Sequence, residues 1–64
     1  MTIDDGDCRV VSEVFRFASE RFTEDAALHL AAEALRARHL SASLSEAVNA
    51  AISILFGADG LPCS

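Results

Sequence analysis

The side chains best suited to metal binding or nucleophilic chemistry are two cysteines and two histidines, and they are far apart along the chain. Cys8 and Cys63 lie near opposite ends, and neither belongs to a C-x-x-C pair. His29 and His39 share a segment with a helical pattern, which separates them by about 15 Å along a helix axis. Because one metal ion cannot bridge that distance within a chain, we predict no metal site and no cofactor.

The two cysteines leave three interpretations open. In a reducing cytosol, Cys8 and Cys63 would be free thiols, which is the interpretation we favour. A disulfide that ties the two ends of the chain together is the first alternative. A functional thiol near the C-terminus is the second.

An acidic cluster near the N-terminus, Asp4, Asp5 and Asp7 around Gly6, resembles part of a calcium-binding loop. It lacks the later ligand positions and the distal bidentate glutamate of such a loop, so we interpret it as a solvated segment. Every serine is explained as a helix cap or an exposed helical residue, and no glycine-rich phosphate loop is present. A catalytic pocket of ~300 Å³ is also difficult to build in so small a core. The sequence therefore predicts a protein that is not an enzyme.

Length and charge limit the classes of function. Sixty-four residues make one domain, and a chain of this size buries only about 60% of the surface that its unfolded form exposes. A formal net charge of −5 argues against non-specific binding to nucleic acid or to anionic membranes. The longest uninterrupted apolar runs have three residues, against the ~20 that a membrane span needs. We expect a cytoplasmic protein.

An alanine-rich chain whose basic residues are all arginine is also typical of a GC-rich bacterial genome.

The spacing of apolar residues predicts an all-α fold of three short helices with tight connections, at about 9–22, 24–39 and 44–56. In the first helix, apolar residues are spaced four, three and four, with Asp7 as the expected cap; they are Val11, Phe15, Ala18 and Phe22. Thr23 is expected to cap the second helix, which carries Arg36 and Arg38 at its negative C-terminal end. The predicted organisation is a flexible acidic segment at 1–8, a single helical domain at 9–57 and a tail at 58–64.

The third helix has two distinct halves. Ser43 and Glu46 form an S-x-x-E capping box at its start, and Gly57 is expected to end it in the left-handed conformation. Its expected inner stripe is Leu44, Val48, Ala51, Ile52 and Leu55. From residue 50 to residue 56 only one residue in seven is polar, which is more apolar surface than one buried face requires.

This surplus of apolar surface leads to the main functional hypothesis. We predict a small, non-enzymatic, regulatory interaction module that dimerises or docks on another protein through its third helix. The expected interface residues are Ala50, Ile54, Leu55, Phe56 and Phe17. The partner would be a second copy of the chain or a different protein.

A second hypothesis rests on a resemblance. The stretch "SASLSEAVNAAISIL" resembles the second helix of ribbon-helix-helix regulators of the CopG, Arc and ParD antitoxin type, and the matching residues are Ser43, Ser45, Glu46, Ala47, Val48, Ala51 and Ile52. The resemblance implies a dimer with a DNA-reading strand near 14–22. It also implies that Arg16 and Arg21 face the DNA groove and that Ser43 contacts a phosphate at the helix N-terminus. An acidic chain is compatible with an antitoxin that masks a basic toxin.

A third hypothesis concerns the C-terminal tail. The sequence "GADGLPCS" groups glycine, proline, cysteine and serine after the last predicted helix. Such a tail fits a precursor peptide whose helical part is a recognition leader and whose tail is modified by a separate enzyme. Short polar tails after a last helix are also ordinary in small domains.

Overall fold

The structure is a computed structural model that describes residues 2–57, and it contains three helices: α1 (Asp5–Ser19), α2 (Glu24–Arg38) and α3 (Leu44–Leu55). The all-α prediction with three short helices is confirmed. No strand is present between residues 2 and 57, so the alternative that placed a strand near 14–22 is wrong. Helical spacing prevails there because it buries Val11 and Ala18 on one side of α1.

The first helix begins four residues earlier than the spacing predicts, and its cap is Asp4 rather than Asp7. The Asp7 amide donates to Asp4 Oδ1 at 2.8 Å, and the Asp4 amide donates to Asp7 Oδ2 at 3.1 Å. Two orphan amides at the helix start are thus satisfied reciprocally. Residues 5–8, which were assigned to a flexible acidic segment, are therefore the first turn of α1, and Cys8 is buried there.

The first helix also ends earlier than predicted, at Ser19, and the chain turns at residues 20–22. Phe22 thus leaves the apolar stripe of α1 and becomes 56% exposed. The second helix begins as predicted, because Thr23 Oγ1 accepts from the Ala26 amide at 3.2 Å. The two helices are joined by only four residues, which brings the end of α1 next to the start of α2.

The start and end of the third helix agree with the prediction. Ser43 Oγ accepts from the Glu46 amide at 3.1 Å, and the Glu46 carboxylate accepts from the Ser43 amide at 3.3 Å. Hydrogen bonds from the backbone and hydroxyl of Ser43 lower the pKa of Glu46. Gly57 follows with φ of 76°, in the left-handed region that favours glycine.

The centre of the molecule consists of small side chains. Its fully buried cluster is Val11, Ala31, Ala32, Leu35, Ala47 and Ala51. Alanine at such positions allows neighbouring helices to pack closely, and α2 contacts both other helices. The expected inner stripe of α3 is therefore partly wrong: Ala51 is fully buried as predicted, but Ala47, which the stripe omits, is also fully buried, and Leu44 and Ile52 are 36% and 39% exposed.

Candidate interaction surface and a buried carboxylate

A continuous apolar surface lies where the end of α1 meets the first half of α2. Its large side chains are Phe17, Phe22 and Leu30, which are 62%, 56% and 43% exposed. The surface also includes four smaller or partly polar residues, and we call the whole set the α1–α2 surface: Val14, Phe17, Ala18, Phe22, Ala26, His29 and Leu30. Single exposed apolar residues are ordinary, but a contiguous group of them is typical of a binding surface.

Two open concavities lie side by side on this surface. The first has a volume of about 560 Å³ and is lined by Phe22, Asp25, Ala26, His29 and Leu30. The second has a volume of about 410 Å³ and is lined by Glu13, Val14, Phe17, Ala18, Phe22 and Leu30. Phe22 and Leu30 line both concavities, so they form the wall that the two share.

Local structure explains why these side chains are exposed. Because α1 ends at Ser19, Phe22 lies in the connection and projects from it, although its amide still donates to the Ala18 carbonyl at 2.8 Å. In α2, the buried face is built from Ala27, Ala31 and Leu35, which are four residues apart. Leu30 lies beside that face and not on it. The exposure of Phe22 could be predicted from the sequence only if the end of α1 were placed correctly at Ser19.

The charged side chains of the surface are unevenly placed. One carboxylate lines each concavity, Asp25 the first and Glu13 the second. Neither carboxylate has an ion-pair partner among residues 2–57. The guanidinium of Arg21 lies over the Phe17 ring, 4.4 Å from its centroid, in a cation–π contact.

A buried carboxylate is the second unusual feature. Asp7, near the start of α1, is fully buried and receives three donors. Arg38 Nε donates to its Oδ1 at 2.6 Å, and His39 Nε2 lies 2.8 Å from its Oδ2. The amide of Asp4 is the third donor. The positive N-terminal end of α1 also favours a negative charge at this position.

These contacts determine the ionisation of the group. Burial raises the pKa of Asp7, but hydrogen bonds from His39 and Arg38 and from the Asp4 backbone outweigh burial and lower the pKa to about 2. The same carboxylate raises the pKa of Arg38 above its already high value. The result is an ionised carboxylate that fastens the beginning of α1 to the end of α2.

The sequence did not reveal this cluster. Asp7 and His39 are 32 residues apart, so no local spacing links them. His39 is the C-cap residue of α2, and its ring Nε2 contacts the Asp7 carboxylate. Only the mutual placement of α1 and α2 brings the three side chains together.

The five expected interface residues have different surroundings. Ala50, Ile54 and Leu55 pack, partly buried, against the protein's own core cluster. Phe56 is 56% exposed and meets the Phe15 ring edge-on, with centroids 6.0 Å apart. Phe17 is the member that belongs to the α1–α2 surface.

The residues expected to contact DNA have local roles. Ser43 caps α3, and Arg21 stacks on Phe17. Arg16 lies exposed in the last turn of α1. Their role in binding DNA stays a prediction.

Within residues 2–57, no group of three or more His, Cys, Asp or Glu side chains is arranged to hold a metal ion. None of the three described helices combines the length and apolar character needed to cross a bilayer. Cys8 is not a free thiol, so the favoured interpretation of two free cysteines is wrong. Cys63 lies outside the described residues. No protein-family model, curated protein or solved structure matches this chain.

Proposed function

We propose that this chain is a small helical interaction module that binds another protein through the α1–α2 surface. The observation that carries the proposal is the grouping of Phe17, Phe22 and Leu30 around two adjoining concavities. A few side chains that fill pockets near the centre of an interface supply most of its binding free energy, and aromatic residues are enriched at interfaces. A 64-residue domain that leaves this much apolar surface uncovered gains stability when a partner covers it.

The proposed class of function, a protein-interaction module, is the one that the sequence predicts. The proposed binding surface differs, because it lies on α1 and α2 and not on α3. The reason is that Ile54 and Leu55 already pack against the protein's own core. Phe56 remains available in part, but it lies against Phe15. The cytoplasmic location, the bacterial origin and a regulatory role stay predictions that accompany this proposal.

The other two hypotheses are not carried into the proposal. The resemblance to ribbon-helix-helix regulators assigns a strand to residues that are helical up to Ser19. DNA binding therefore lacks its reading element in the described part of the chain and stays a prediction. The precursor-peptide hypothesis depends on residues 57–64, almost all of which lie outside the described range, and it likewise stays a prediction.

The proposal can be tested by NMR titration of the full chain with three designed helical peptides. The peptides share one face of leucine and phenylalanine and differ only in the residues beside it, which are lysine, glutamine or glutamate. Binding of any one of them should shift the amide resonances of Phe17, Phe22 and Leu30. Shifts confined to α3, or no binding by all three peptides, would contradict the proposal.

A matched pair of variants makes the test specific. Phe22 and Phe56 are equally exposed, at 56%, but only Phe22 belongs to the α1–α2 surface. Phe22→Ser should weaken peptide binding by about tenfold to a hundredfold, the value expected when a buried aromatic anchor worth about 1.5–3 kcal/mol is lost. Phe56→Ser should leave binding within about twofold of wild type. A larger loss of affinity in Phe56→Ser than in Phe22→Ser would instead place the interface on α3.

A further inference from the structure

We infer that the partner is a basic amphipathic helix, with two neighbouring apolar anchors and with Lys or Arg residues beside them. This inference rests on the proposed function, because it names the chemistry of the segment that binds the α1–α2 surface. It is carried by the geometry of the two concavities and by the charges beside them.

The first argument is the pairing of the concavities. Because Phe22 and Leu30 form a shared wall, an occupant that fills both must present two apolar side chains next to each other. Residues i and i+4 of a helix, whose Cβ atoms lie about 6 Å apart, meet this requirement. Binding of an apolar helix face in a groove is a recurring mode of recognition.

The second argument is charge. Each concavity has one carboxylate at its lining, Asp25 or Glu13, and both lack an ion-pair partner within residues 2–57. Arg21 lies beside this surface, but its guanidinium is stacked on the ring of Phe17. A partner with cations beside its anchors would pair with both carboxylates, and the net charge of −5 would accelerate its approach.

The same charges argue against two other occupants. A second copy of the chain would bring a further net charge of −5 and the same two carboxylates to the interface. The C-terminal segment 58–64 has one aspartate, Asp59, and no basic residue. The C-terminal segment supplies no cation for Glu13 and Asp25, and the cation that a second copy carries beside this surface, Arg21, is already stacked on Phe17.

The inference is tested by comparing the affinities of the lysine, glutamine and glutamate peptides for the full chain by isothermal titration calorimetry. The lysine peptide should bind about tenfold or more tightly than the glutamate peptide at low salt, and the ratio should fall as salt is added. The double variant Glu13→Gln, Asp25→Asn should reduce that preference by about three- to tenfold, as expected for two exposed ion pairs. Asp5→Asn, which removes an exposed carboxylate that lines neither concavity, is the control and should leave the preference unchanged.

The possible results separate this inference from the proposed function. Equal affinity of the three peptides at the α1–α2 surface would overturn the inference and leave the proposed function standing. Failure of all three peptides to bind would overturn both.

The other two occupants can be detected in the same samples. A dimer that is seen by sedimentation equilibrium and abolished by Phe22→Ser would assign the surface to a second copy. Resonances of residues 58–64 that move in the free Phe22→Ser variant would assign it to the C-terminal segment. Either result would overturn the basic helix as the occupant.

Discussion

Replacing Asp7 with asparagine should destabilise the protein by about 2 kcal/mol at pH 7. The substitution keeps the side-chain volume but removes the charge that accepts hydrogen bonds from Arg38 and His39. The magnitude follows from the pKa of Asp7, which falls from 3.8 to about 2 on folding, since each unit corresponds to about 1.4 kcal/mol. Arg38 is 41% exposed, so water can hydrate it in the variant, which keeps the loss below the 3–5 kcal/mol of a fully buried pair.

The measurements are urea unfolding and thermal unfolding, both followed by circular dichroism at 222 nm. For a domain of this size, 2 kcal/mol corresponds to a fall in Tm of about 10 °C. Asp5→Asn is the matched control, because Asp5 is an exposed carboxylate in the same helical turn. Its loss should cost about 0.5 kcal/mol, the value of a surface charge near a helix N-terminus.

The pH dependence gives a second check. The pKa of Asp7 is lower in the folded protein than in the unfolded chain, so its contribution is complete above about pH 4 and is lost as the pH falls toward 2. The difference between wild type and Asp7→Asn should therefore shrink between pH 4 and pH 2. Two results would refute the conclusion that the ionised Asp7 carboxylate stabilises the contact between α1 and α2. One is equal stability of the Asp7→Asn and Asp5→Asn variants at pH 7, and the other is a stability difference between wild type and Asp7→Asn that stays constant down to pH 2.

Two further variants test the helix packing and the capping by the same urea method. Ala31→Leu should destabilise the protein by about 1–3 kcal/mol, because Ala31 is fully buried in the helical core. Ala37→Leu, on the exposed side of α2, is the control and should change the stability by less than about 0.5 kcal/mol. Similar losses in the two variants would mean that α2 is not closely packed at Ala31. Ser43→Ala should lower the free energy of unfolding by about 1 kcal/mol, because it removes the N-cap of α3. Ser45→Ala, at the second residue of the helix, should leave the stability unchanged or raise it slightly. A harmless Ser43→Ala would show that the capping box contributes nothing.

The features that the sequence predicts well depend on local interactions. Thr23 and Ser43 cap their helices as expected, because each side chain bonds to an amide three residues away. The first helix was misplaced because Gly6 within an acidic run is typical of a loop. Asp4 and Asp7 nevertheless form the reciprocal bonds that start a helix there.

The features that the sequence predicts poorly depend on how helices meet. The spacing predicts both Ala51 and Ile52 on the buried face of α3, but the fully buried residues are Ala47 and Ala51, and Ile52 is 39% exposed. Phe22 continues the spacing of the first helix, and its exposure follows from the turn after Ser19. The Asp7 cluster joins residues more than 30 positions apart, so the helical spacing of apolar residues cannot predict it.

The alanine-rich interior also affects how stability varies with temperature. Among residues 2–57, seven of the ten buried hydrophobic residues are alanine. Alanine exposes little apolar area when a protein unfolds, and apolar exposure is the main source of the positive heat-capacity change. A small heat-capacity change gives a broad, flat curve of free energy against temperature. We therefore expect the stability of the domain to change little between cold and warm conditions. Because alanine also buries little apolar area, the maximum stability should be low, and a bound partner that covers Phe17, Phe22 and Leu30 would raise it.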